Sequence, residues 1–363
     1  MRWEGQTATH VDADALPGLE ERGSVLESWP TPGFDGASFL EVTAKSALNH
    51  VAGDGFMGGA WTINPYRGCQ HACRYCFARN THTYLDLDAG ADFDSRIVVK
   101  ANIVEVLERE LAGARRDVDA VQLGTNTDPY QRAEGRYRLM PGVLRALARH
   151  GASISILTKG TLLRRDLPLL ASIARDVPVS IAMSIAIFDD ELQQQVEPGT
   201  PTTRSRLETV RAVRDAGLDC AVFAMPILPG LTDTRAHLET AFAAIADAGA
   251  TSAIASALHL RPGAREWYLA WLRAEHSELL PLYDRIYRDE RGRFGSYAHP
   301  DYRSWLRDRI RPLQRSHGLG RTVVAPGTGI SAVAPSNRAK EGNRAKRLPS
   351  TSGESMLAAA TLF

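Results

Sequence analysis

No apolar run in the 363 residues approaches the roughly 18–20 needed to span a bilayer, so the sequence predicts no membrane helix. The amino terminus, Met1-Arg2-Trp3-Glu4 onward, lacks the charged-then-apolar pattern of a signal peptide and is peppered with acids. The expected location is therefore the cytoplasm, where thiols stay reduced. Cysteine is scarce. Of the four, three crowd into one stretch, which is poor geometry for closing loops and good geometry for holding metal. The formal net charge of +1 argues against a uniformly basic nucleic-acid binder and leaves room for a local patch. Lysine occurs only at Lys45, Lys100, Lys159, Lys340 and Lys346. A GC-rich genome explains that bias, yet it makes any lysine inside the fold worth attention. There are no internal repeats. The apolar share of 44% and charged share of 23% are ordinary for a globular chain, and the length suits one large domain with appendages or two domains.

What is present begins with a change of texture. Residues 1–57 are polar, with scattered Pro and Gly, and are expected to form an extension that wraps or covers. From Trp61 onward short apolar runs alternate with amphipathic stretches, the pattern of repeated βα units. Strands are expected near Trp61–Tyr66, Ala120–Leu123, Ser153–Leu157, Val179–Met183, Cys220–Met225 and Ser252–Leu258. Helical faces are carried by Leu139, Val143, Leu144 and Leu147; by Leu207, Val210 and Val213 after a Thr202-Thr203 start; and by Leu238, Ala241, Phe242 and Ile245. Six strands with interleaved helices predict an α/β fold, a partial (β/α)6 TIM-type barrel over 58–260, with ligands at the carboxyl ends of its strands. Residues 261–318, with Trp267, Trp271, Leu272, Leu279, Leu282, Ile286, Trp305 and Ile310, are expected to form a C-terminal helical extension closing one end. Residues 319–363 read as a flexible basic tail, too poor in large apolar groups to fold alone.

The densest chemical signal is Asn64-Pro65-Tyr66-Arg67-Gly68-Cys69-Gln70-His71-Ala72-Cys73-Arg74-Tyr75-Cys76-Phe77. Cysteines spaced C-x3-C-x2-C leave an iron–sulfur cube one thiolate short, and an iron with an open position is where chemistry happens. A zinc site completed by His71 is the alternative, although it would normally draw on two separated ligand pairs and none is present. The loop resembles that of the radical S-adenosylmethionine (AdoMet) enzymes. That resemblance implies a [4Fe–4S] cluster held by Cys69, Cys73 and Cys76. AdoMet would chelate its fourth iron and be cleaved reductively to a 5′-deoxyadenosyl radical that abstracts hydrogen. It also implies that Phe77 borders the adenine and that an electron donor such as flavodoxin or ferredoxin is a partner.

Polar residues recur where strands should end: Asn126-Thr127-Asp128, Thr158-Lys159-Gly160, Ser184 and Glu197-Pro198-Gly199-Thr200. Each alone is ordinary turn chemistry. With the cysteine loop and Ala224-Met225-Pro226-Ile227, they resemble spore photoproduct lyase and the DNA repair photolyase-like radical AdoMet proteins, over about Asn64 to Leu231. The resemblance implies that Lys159 pairs with the AdoMet carboxylate, Ser184 bonds its ribose or methionyl end, and Thr127 and Asp128 meet its amino group. A solvent-facing Lys159 is the plain alternative. That family uses a cysteine beside its Thr-Ser-Asp segment to return hydrogen to the product. Here the segment reads Gly124-Thr125-Asn126-Thr127-Asp128, and no cysteine lies between Cys76 and Cys220. Either another residue such as Tyr130 donates hydrogen or the substrate differs. Cys220 opens its strand and reads as packing.

Three functions stay open: radical chemistry on nucleic acid, of a lyase or repair type; the same chemistry on a peptide or small metabolite; and a non-catalytic iron–sulfur protein. The cluster Arg338, Lys340, Arg344, Lys346 and Arg347 suits phosphates or plain solvation. The terminal Leu362-Phe363 loosely resembles sliding-clamp-binding peptides, without their glutamine.

Overall fold

Six of the apolar runs pair side by side in parallel, in sequence order. A computed structural model describes residues 25–30, 36–51, 60–113, 118–289 and 291–320. Its strands are β1 (Val25–Pro30), β2 (Ser38–Val42), β3 (Leu48–His50), β4 (Trp61–Ile63), β5 (Tyr66–Arg67), β6 (Arg96–Lys100), β7 (Ala120–Leu123), β8 (Ser153–Thr158), β9 (Val179–Ser184), β10 (Cys220–Phe223) and β11 (Ser252–Ile254). The main sheet runs β11-β10-β9-β8-β7-β4-β3. Its six strands from β4 to β11 are mutually parallel, and β3 joins antiparallel at the edge. The sheet stays open, so the barrel is partial, as expected. Parallel strands need long crossovers, and helices such as Met140–Arg149, Leu163–Ile173, Thr203–Asp215 and Arg235–Asp247 supply them.

The core lies between this sheet and its helices. In β8, Ile154, Ile156 and Thr158 turn inward at alternate positions, the period-two signature of a strand. Ile154 and Ile156 belong to the same buried core as Val143, Leu144 and Leu147 of one helix face and Leu238, Phe242 and Ile245 of another. The opposite, concave face carries a small apolar group of Phe223 and Met225 flanked by Leu157, Ala182 and Ile254.

A second sheet, β1-β2-β6-β5, was not foreseen from the sequence. Its strands β2 and β6 are far apart in the chain, with β3, β4 and β5 between them, which hides their pairing from any local pattern. The stretch read as an extension thus supplies β1 and β2 to this sheet and β3 to the main one. Past β11, helices Ala264–Glu275 and Leu280–Tyr287 pack Tyr268, Trp271, Leu272, Tyr283 and Tyr287 onto Cys73 and Tyr75. The last helix among the described residues, Pro300–Ser316, instead sends Leu306 and Ile310 into the main core. The basic cluster 338–347 and the terminal Leu362-Phe363 lie outside the described residues. Among the described residues no helix is long and apolar enough to cross a membrane.

Phe242 has no exposed surface. Phe242→Ala should therefore cost about 3–5 kcal/mol of unfolding free energy in urea titrations; a loss below 1 kcal/mol, on the order of a surface change, would contradict this placement of the core.

Candidate active site

The carboxyl ends of neighbouring strands deliver their polar residues to one rim, where two carboxylates organise them. Asp128, in the loop after β7, accepts the Thr158 hydroxyl (2.6 Å) and the Tyr130 amide (2.9 Å) at Oδ1. Its Oδ2 accepts the Lys159 amide at 2.6 Å and lies 3.3 Å from His71 Nδ1. Burial would raise the Asp128 pKa, but His71 and these hydrogen bonds outweigh it and hold the carboxyl below its ordinary range. Thr127 donates its hydroxyl to the Tyr66 carbonyl at 2.7 Å. Thr127 and Asp128 therefore join the β7 rim to the start of the cysteine loop and to β8.

The second carboxylate is Glu197, with no exposed surface. Its Oε2 pairs with Arg206 Nη1 at 2.8 Å, an arginine equally buried, and its Oε1 accepts the Tyr75 hydroxyl and stands 3.4 Å from Lys159 Nζ. Burial pushes the Glu197 pKa up, and Arg206 and then Lys159 overcome it, bringing it down to about 2. Lys159 also donates to Ser184 Oγ at 2.5 Å, and Arg206 donates to the Ser184 carbonyl at 3.1 Å. The Lys159 side chain is 13% exposed while Glu197 and Arg206 have no exposed surface, so Lys159 is the member of this trio that reaches solvent.

These two carboxylates bracket the cysteine loop. His71, between Cys69 and Cys73, faces Asp128; Tyr75, between Cys73 and Cys76, faces Glu197. The backbone is pinned as well. Cys69 donates its amide to Phe93 O (2.9 Å), Gln131 Nε2 donates to Gly68 O (3.0 Å), and the Gly199 amide donates to His71 O (3.1 Å). Gly68 adopts φ +79°, and a Cβ on Gly199 would lie 1.8 Å from Gln70 O, so both positions require glycine. Arg79, fully buried, donates to Cys73 O (3.1 Å), pairs with Asp94 (2.8 Å) and has the rings of Phe93 and Trp267 at 5.2 and 4.8 Å.

Cys69 and Cys73 are 6% and 4% exposed and Cys76 is partly buried. Phe77 lies beside Cys69, Cys76 and Phe93, with the Arg261 guanidinium 5.4 Å from its ring centroid. Burial, followed by the Glu197 charge, pushes the Cys73 thiol well up, and burial with the Cys69 charge takes Cys76 to about 11. Binding iron displaces those protons. For His71, burial pulls the imidazole down, but Asp128 and then Cys69 raise it to about 10. Its Nδ1 faces Asp128 and so braces the loop. Among the described residues no three His, Cys, Asp or Glu side chains converge closely enough for one ion. Three thiols in a pinned, dry loop instead suit a cluster whose irons take one thiolate each.

The structure thus brings Thr127, Asp128, Lys159 and Ser184 into one connected set against the cysteine loop and places Phe77 on the loop itself. Tyr130 lies elsewhere. Its ring is in the main core, 1% exposed, with its phenol beside Asp166 and Glu134 of the surrounding helices. That position gives no support to a role as hydrogen donor. Cys220 is fully buried in the same core, and burial raises its thiol to about 12, as packing predicts. Arg206 and Tyr75 were missed by sequence reasoning. Arg206 left a signal: it falls four and seven residues before the buried Val210 and Val213, a charge on an apolar helix face. Such a charge needs a buried partner.

A group whose folded pKa is depressed stabilises the fold above its unfolded pKa and stops doing so as pH falls through the folded value. Glu197, ordinarily at 4.5 and here at about 2, follows that sign. The stability gap between wild type and E197Q should be widest above pH ~5 and narrow as pH falls toward ~3, measured by urea unfolding at each pH. A gap independent of pH would contradict an ionised, buried Glu197.

Comparison with known proteins accords with this geometry. The model of the radical SAM superfamily matches residues 63–241. An uncharacterised protein of Mycobacterium tuberculosis is 50% identical over 340 residues, covering 92% of this chain and 98% of that protein. One of Methanocaldococcus jannaschii is 26% identical over 196 residues, 54% of this chain and 70% of that one. Among solved structures, spore photoproduct lyase complexed with dinucleoside spore photoproduct aligns with a TM-score of 0.55 at 14% identity, over 77% of this chain and 79% of that one. The matched segment spans the cysteine loop and the rim residues from Thr127 to Glu197, so the chain belongs to the radical SAM superfamily, whose members bind a [4Fe–4S] cluster and S-adenosylmethionine, on a fold resembling that of spore photoproduct lyase.

Proposed function

We propose that this enzyme holds a [4Fe–4S] cluster through Cys69, Cys73 and Cys76 and seats AdoMet along the rim from Phe77 to Ser184. The observation that carries this is the Lys159 ammonium, 2.5 Å from Ser184 Oγ, at the opening of a network tied to the cysteine loop through Tyr75. When bound, the pair supplies a 5′-deoxyadenosyl radical for hydrogen abstraction, fed by a reductant such as flavodoxin or ferredoxin. The chain's own residues bind and orient. Lys159 offers a compact cation to the methionyl carboxylate. Ser184 fixes Lys159 and faces the ribose or methionyl end. Phe77 lends an apolar ring to the adenine. Asp128, already accepting from four partners, acts at the amino end by fixing the backbone of Tyr130 and Lys159.

For the substrate we favour nucleic acid, acted on in a lyase- or repair-like reaction. The helix Pro300–Ser316 supports this with exposed Arg307, Arg309, Arg311 and Arg315 and with Trp305, 40% exposed, which has the Arg309 guanidinium 4.1 Å from its ring centroid. A peptide or small metabolite is the second reading, favoured by the small apolar group of Phe223 and Met225 on the sheet face opposite the core and by the near-zero net charge.

Anaerobic reconstitution with iron and sulfide, then dithionite and AdoMet, should yield 5′-deoxyadenosine, and alanine at any of Cys69, Cys73 or Cys76 should abolish it. A wild type that binds iron and forms none would leave only electron transfer or sensing. Lys159→Met should weaken AdoMet binding about 10–100-fold, as expected for losing a charged hydrogen bond. Deuterium moving into 5′-deoxyadenosine from labelled oligonucleotides supports the first substrate class; transfer only from peptides or metabolites supports the second.

A further inference from the structure

We propose that Glu197 is a positioning residue for AdoMet: it aims the Lys159 ammonium at the methionyl carboxylate and keeps that ammonium in register with the cysteine loop. This rests on the AdoMet site proposed above and adds a residue that site does not use directly. Glu197 cannot touch AdoMet across the opening, because it has no exposed surface; it acts through what it holds.

Three observations converge on it. First, charge does not balance locally. Two cations, Arg206 and Lys159, share this one carboxylate at 2.8 and 3.4 Å. Arg206 is sealed and takes the shorter contact, so the unmatched positive charge resides on Lys159, at the opening. An anionic group completes the set, and the AdoMet carboxylate is such a group. Second, lysine is a flexible stem whose head is costly in rotamer entropy to fix. Glu197 and Ser184 restrain it from two sides before any ligand arrives, while an ammonium with three donors keeps at least one for the ligand. Third, the same residue is fastened to the loop. Its Oε1 accepts the Tyr75 hydroxyl, and its chain neighbours Val196 and Gly199 bond the Arg74 amide (2.9 Å) and the His71 carbonyl (3.1 Å). The ammonium and the thiols are thereby referred to one anchor.

A purely architectural ion pair would have the same burial, so the test must read more than stability. Wild type, E197Q, E197D, K159M and the E197Q/K159M double variant are reconstituted anaerobically. Iron per chain, AdoMet affinity by equilibrium dialysis, and the electron paramagnetic resonance spectrum of the reduced cluster with and without AdoMet are then compared. E197D retains a charge for Arg206 but withdraws it from Lys159. It is expected to keep wild-type iron content and to bind AdoMet about tenfold more weakly, with a smaller AdoMet-induced spectral change. E197Q is expected to weaken binding at least as much. The double variant should be no weaker than K159M alone, because Glu197 works through Lys159. Wild-type affinity in E197D, or losses in the double variant that add, would overturn the inference. If E197Q fails to fold, the E197D result decides. A reconstituted wild type that binds no AdoMet overturns the proposed function, and this inference with it.

Discussion

A carboxylate sealed from water organises the centre of this protein. Burying an ion costs several kcal/mol in practice, and a buried pair repays this only with good geometry and extra hydrogen bonds. Glu197 meets both conditions. Arg206 lies at 2.8 Å, and Tyr75, Thr200 and Lys159 occupy its remaining sides. Because those partners come from the cysteine loop, the end of β8 and the helix Thr203–Asp215, one ionised group fixes the relative positions of three segments remote in sequence.

Asp128 repeats the device on the other side. It draws His71 from the loop and Thr158 and the Lys159 amide from β8. The cysteine loop therefore carries two kinds of residue at alternate places: thiols left for metal, and a histidine and a tyrosine that plug into rim carboxylates. The spacing of three and two residues between cysteines leaves room for one such plug in each gap. Lys159 is shared by both carboxylates, through its amide and its ammonium, which makes the end of β8 the junction of the site.

Around this centre the cover is aromatic and arginine-rich. Trp271, Tyr268 and Tyr283 pack onto Cys73 and Tyr75, while Arg79 carries its charge between Phe93 and Trp267. Dry walls of this kind strengthen every charge interaction inside them. The sheet face opposite the main core carries the small apolar group of Phe223 and Met225 beside a polar row of Thr62, Gln122, Ser155 and Ser180.

Sequence alone determined the features written at short range. The three cysteines, the alternation of strand and helix, and the helix faces of Leu144 or Phe242 depend on spacings of a few residues, and these appear as read. Lys159, Ser184 and Thr127-Asp128 were legible as polar groups at strand ends, and their convergence follows from parallel strands placing their carboxyl ends on one rim. Tertiary structure decided what no local pattern encodes: the β2–β6 pairing across more than fifty residues, the withdrawal of Tyr130 into the core, and the partners of Glu197. A carboxylate in a Glu-Pro-Gly turn looks like any solvated turn until Arg206, nine residues on, turns inward beneath it. Whether a charge is buried depends on which distant surface closes over it, and that is settled only when the chain packs.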